Sequence, residues 1–90
     1  MEWVYTVVTT REFDKVFARI PLNWQKRIIE KIRGVADDPN APNINLTKLQ
    51  GREGYRLRVG DWRVIYELQD QRLVMLVLQS DLGEGFIDAH

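Results

Sequence analysis

Arg56, Arg58 and Arg63 lie in the run Tyr55-Arg56-Leu57-Arg58-Val59-Gly60-Asp61-Trp62-Arg63-Val64-Ile65-Tyr66, where basic and apolar residues alternate. A guanidinium group stays charged and offers a planar fork of donors that suits phosphate oxygens. Gly60-Asp61 is a Gly-X pair of the kind that closes a two-residue hairpin. With that turn, Val59 faces Trp62, Leu57 faces Val64 and Tyr55 faces Tyr66, so one side of the hairpin is wholly apolar and aromatic. The other side sets Arg58 across from Arg63, with Arg56 two residues along and opposite Ile65. Like charges opposed on a strand pair cost from a few tenths to about 1 kcal/mol, and nothing in the folding pattern requires arginine there. Two readings fit: a cradle for a nucleic-acid backbone, or a solvated face whose arginines pair with Glu53, Glu67 or Asp81.

Few other side chains suit acid–base work. His90 titrates in a useful range, but a lone histidine at the end of the chain reads more simply as a terminal residue. Tyr55 and Tyr66 fall on the apolar side of the hairpin and read as packing. Glu53 reads as a solvated loop carboxylate, and Asp81 and Glu84 as partners for Arg58 or Arg63. Trp3, Trp24 and Trp62 occupy apolar positions of their patterns, which suits a core or a partner interface better than base stacking. Without cysteine and with one histidine, neither a disulfide nor a metal site is expected, and no cofactor.

The elements that must hold the arginines follow from pattern. Residues 3–8 are β-branched and aromatic and predict a first strand. Thr9 with Glu12 three positions on forms a capping box, and Phe13, Val16, Phe17 and Ile20 then recur at helical spacing. Pro21 ends that helix, and a second starts near Leu22 or Asn23 with Trp24, Ile28, Ile32 and Val35 on one stripe and Ile29 beside it. Gln25, Lys26, Arg27, Glu30, Lys31 and Arg33 form its solvated side. A loop over 37–43 with two prolines leads to strands over 54–60, 62–68 and 72–79, with a second turn at Gln69-Asp70-Gln71. The unbroken apolar run Leu73 to Leu78 predicts a central strand covered on both faces. The order β-α-α-β-β-β predicts an α+β domain, with a helical hairpin packed on one face of an antiparallel sheet.

Ninety residues suffice for one domain spanning 1–90 and one core. No apolar run approaches the length of a membrane span, and the acidic residue at position 2 gives no basic start to a secretory signal, so the cytoplasm is the expected compartment. The net charge is zero, which taken whole argues against a strongly basic nucleic-acid binder. That total hides two opposed segments: residues 48–63, with Lys48, Arg52, Arg56, Arg58 and Arg63, sum to +3, whereas residues 67–90 sum to −4.

The run from Lys48 through Leu49-Gln50-Gly51-Arg52-Glu53-Gly54 to Tyr66 closely resembles the central segment of the RelE/ParE superfamily of bacterial toxins, and the order of elements fits it from residue 3 to 79. The resemblance implies the toxin component of a type II toxin–antitoxin pair, with a cognate antitoxin as partner. In its RelE branch it further implies a ribosome-dependent endoribonuclease that cuts messenger RNA and arrests translation. Carried over by position, the branch's basic strand residues fall on Arg56 and Arg58, and its hairpin arginine on Arg63. All three are then expected catalytic groups, with Lys48 and Arg52 as further RNA contacts. The chain departs from the branch after Gln79: Leu82 and Gly83 stand where a basic residue is expected, and Phe86 and Ile87 near the expected tyrosine. That departure keeps three alternatives open: a gyrase-directed toxin like the ParE branch, an impaired homologue that mainly binds its antitoxin, or a plain protein-binding module.

Overall fold

The computed structural model describes residues 5–38 and 45–80. The elements are β1 (Thr6–Thr9), α1 (Arg11–Phe17), α2 (Leu22–Asp37), β2 (Leu46–Lys48), β3 (Tyr55–Val59), β4 (Trp62–Gln69) and β5 (Arg72–Ser80). They build one five-stranded sheet in the order β1-β5-β4-β3-β2. The α+β architecture expected from the pattern is present, with two additions. A three-residue strand, β2, extends the sheet beyond β3, and β1 joins β5 in parallel, whereas the other neighbours are antiparallel.

The helical hairpin covers one face of the sheet. Phe13, Ile20, Ile28, Ile32, Val35 and Ala36 from the helical half meet Leu57, Val59, Trp62, Val64, Tyr66, Leu73, Met75 and Leu78 from the strands, all buried. The stripe at Ile28, Ile32 and Val35 is therefore the buried side of α2, as its 3.6-residue period requires. Pro21 precedes α2 directly, with φ −59° already set for the helix start. Gln25, placed on the solvated side by the pattern, is half-buried: its Nε2 donates to the carbonyl of Phe17 at 2.7 Å, capping the end of α1.

The start of α1 corrects the expected cap by one residue. Thr10, not Thr9, is the N-cap, with extended backbone and a hydroxyl that accepts from the Phe13 amide at 3.1 Å. The choice is made by β5. Tyr66 pairs with Met75 but Ile65 pairs with Val77, so Leu76 is an extra residue that bulges the strand. The Thr10 hydroxyl donates to the carbonyl of Leu76 at 2.6 Å, and the Thr10 amide donates to that of Met75. One side chain thus caps a helix and ties it to the bulge. Thr10→Ala should lower stability by about 1–2 kcal/mol and Thr10→Ser by far less, read from urea midpoints.

The run Leu73–Leu78 reads as covered on both faces, but Val74, Leu76 and Val77 are only half-buried among the described residues. Only one side of β5 meets the helices. The other belongs to the open face of the sheet, where the arginines stand.

Candidate nucleic-acid interface

The β3–β4 hairpin has the register its sequence pattern requires. Tyr55 pairs with Tyr66, Arg56 with Ile65, Leu57 with Val64, Arg58 with Arg63 and Val59 with Trp62. Gly60 takes φ 61° at the turn, the left-handed value this position of a two-residue hairpin loop demands. Leu57, Val59, Trp62, Val64 and Tyr66 are buried against the helices. The alternation then leaves Arg56, Arg58 and Arg63 on the open side. Extended through the sheet, one row there is Arg58, Arg63 and Gln79, and the next is Thr47, Arg56, Ile65 and Val77.

The three arginines differ in how they are held. Arg56 and Arg63 are half-buried, and the Nε of Arg63 is fully covered, so the stems of both lie along the sheet. Arg58 is exposed and turns along the hairpin, its Nε donating to the carbonyl of Gly60 at 3.4 Å. It lines a groove of about 540 Å³ with Arg27 and Lys31 of α2 and with Asn45. Arg27 in turn lies over the ring of Trp24, 5.1 Å from its centroid.

The remaining expected contacts spread apart. Lys48 pairs with Tyr55 across β2 and β3, which puts it on the helix side of the sheet and not beside Arg56. Arg52 is 3.9 Å from Glu67. With side chains 60% and 25% exposed, that pair is screened, and Arg52→Ala should change stability by less than about 0.5 kcal/mol in a urea titration. The carboxylate sits one row beyond Arg56, opposite Val74, and also accepts from the Gln69 amide at 2.8 Å. Among the described residues no carboxylate is within ion-pair distance of Arg56. Glu53 is exposed in the loop before β3. Asp81, Glu84, His90, the altered positions Leu82, Gly83, Phe86 and Ile87, and Trp3 lie outside the described residues.

Tyr55 and Tyr66 stack with ring centroids 5.4 Å apart. Tyr66 is 2% exposed, and burial, with a smaller push from Tyr55, raises its phenol far above the ordinary 10.0. It packs; it does not exchange protons at neutral pH. A raised folded-state pKa means that the stability it supports is complete below pH 10.0 and is lost as pH climbs toward the folded value. The urea midpoint should therefore fall above pH 10.0, and more steeply than in Tyr66→Phe.

The sequence pattern left Arg27 and Lys31 on a solvated face. They are four residues apart on α2, and only the fold brings that pair to the hairpin tip beside Arg58. The chain is thus a small α+β protein with a helix pair on one face of a five-stranded sheet and arginine positions on the other. Residues 5–79 match the family model described as ParE toxin of type II toxin-antitoxin system, parDE. The chain belongs to that family.

Among solved structures, the archaeal RelE–RelB complex from Pyrococcus horikoshii is similar at 26% identity and TM-score 0.73, covering 87% of this chain and 96% of that one. The RelBE2 toxin–antitoxin complex from Mycobacterium tuberculosis aligns at 21% identity and TM-score 0.69, covering 84% and 96%. The intact RelBE complex of E. coli follows the same fold at 18% identity and TM-score 0.64, covering 82% and 93%. Comparison with curated protein sequences gives no match. No helix among the described residues is long and apolar enough to cross a membrane.

Proposed function

We propose that this toxin cuts messenger RNA on the ribosome, with Arg56, Arg58 and Arg63 as its charge-stabilising groups, and that a cognate antitoxin restrains it. The observation that carries the reading is the β3–β4 register, which sets Arg56 and Arg63 on the open side of the sheet and Arg58 directly across from Arg63, its side chain turned toward the hairpin tip, at a mutual cost in repulsion. When a ribose 2′-hydroxyl attacks its own phosphate in line, negative charge builds on the phosphoryl oxygens. The attacking oxygen gives its proton to water as it bonds to phosphorus, the 5′-oxygen leaves with the electron pair and takes a proton from water, and guanidinium groups already in place lower the barrier. Half-buried stems at Arg56 and Arg63 limit the reorganisation needed at that moment. Similarity to toxins solved with RelB supports an antitoxin partner. The test is to add purified protein to translating ribosomes and map breaks in the message; an intact message at high protein concentration removes the nuclease reading.

A gyrase-directed action is the second reading, favoured by the match to the ParE model. Supercoiling assays that trap cleaved DNA separate the two, because an RNA-cutting protein leaves topology unchanged.

A further inference from the structure

We infer that the groove between α2 and the β3–β4 turn, formed by Arg27, Lys31 and Arg58, is a second phosphate subsite that holds the RNA chain beyond the nucleotide at Arg56 and Arg63. The inference rests on the RNA reading above and extends it around the hairpin tip. Arg58 belongs to both places: its backbone pairs with Arg63 on the open face, and its side chain lines the groove. The groove, about 540 Å³, is large enough for a nucleotide. Its lining carries three cations against the carboxylate of Glu30, with Asn45 as a further polar residue.

Two contacts hold the cations in place before any ligand arrives. The Arg27 guanidinium rests on the Trp24 ring, and the same ring abuts Gly60 so closely that a Cβ there would strike it. The Gly60 carbonyl accepts from Arg58. Trp24 therefore sets the position of Arg27 relative to the turn that sets Arg58, and Lys31 follows one helical turn along. An acidic protein segment would seek apolar anchors besides charge. Here Val59, itself buried, is the apolar side chain among the lining residues. Two guanidinium forks and an ammonium in a polar groove suit phosphate oxygens better.

The experiment titrates the full-length chain with single-stranded octanucleotide and trinucleotide RNA across a salt series, comparing wild type with Arg27→Ala, Lys31→Ala. The octanucleotide should bind about 10-fold more weakly to the double variant, with a salt slope shallower by about 0.7 for each phosphate released. The trinucleotide, too short to span both places, should lose less. In wild type the Trp24 indole resonance should shift with the octanucleotide. Equal loss for both lengths, or unchanged affinity and slope for the octanucleotide, overturns the subsite. Weaker antitoxin binding with RNA affinity intact overturns it too and assigns the groove to the protein partner. Arg56→Ala separates the two levels: if it weakens RNA binding and the α2 pair does not, the subsite alone fails; if neither matters, the RNA reading fails with it.

Discussion

Arg56→Ala and Arg63→Ala should each slow message cleavage on ribosomes by about 10²–10³, the usual effect of removing one preorganised donor from a developing oxyanion. Both residues are half-buried on the open face, so their guanidinium groups are restrained where an exposed arginine would wander. Arginine to lysine at either position keeps the charge but gives up the fork, and should recover only part of the loss. Arg58→Ala is the informative companion. Its partner across the strands is Arg63, so its removal relieves a like-charge opposition and gives up the long, exposed bond to the Gly60 carbonyl. Its unfolding free energy should stay within about 0.5 kcal/mol of wild type or rise, while cleavage falls. Activity lost from a chain that is no less stable cannot be blamed on misfolding. Cleavage at the wild-type rate by Arg56→Ala with Arg63→Ala would remove these residues from the chemistry.

What the sequence revealed and what it hid divide along the range of the forces involved. The hairpin was readable because a period of two and a Gly-X turn are both local, and they agree: once Gly60-Asp61 closes the loop, every pairing from Tyr55–Tyr66 to Val59–Trp62 is fixed. The stripe of α2 was readable for the same reason. Three features required partners distant in sequence. Leu46-Thr47-Lys48 is too short to carry a period, and becomes a strand only because β3 offers an unpaired edge. The direction of β1 depends on where the helical hairpin returns the chain, and a strand's residues do not record whether its neighbour runs with or against it. The cap moved from Thr9 to Thr10 because the Leu76 carbonyl, displaced by the bulge, sits within reach of the second hydroxyl. Of the site, the arginine face was visible in alternation alone. The apposition of Arg27 and Lys31 to Arg58 was not, since the helix and the hairpin lie far apart in sequence and meet only in the fold.

Gly60→Ala should destabilise the protein by about 2–5 kcal/mol, far beyond the cost of an ordinary turn substitution, because two penalties coincide. The backbone there has φ 61°, which a Cβ disfavours. That Cβ would also fall well inside van der Waals contact with Cη2 and Cζ3 of Trp24, a ring packed against the core that cannot swing away cheaply. The two penalties separate in a double-mutant cycle. In a Trp24→Ala background the steric part disappears, so Gly60→Ala should then cost only about 1–2 kcal/mol. Urea unfolding of the four proteins measures the coupling directly, and strictly additive costs would show that the ring does not fix the turn. A displaced turn reaches the site as well, since Arg58 and Arg63 flank it at two residues' distance on either side. Whatever fraction of Gly60→Ala remains folded should cut RNA more slowly than wild type, and Trp24→Ala, which frees Arg27, should weaken binding of long RNA more than short.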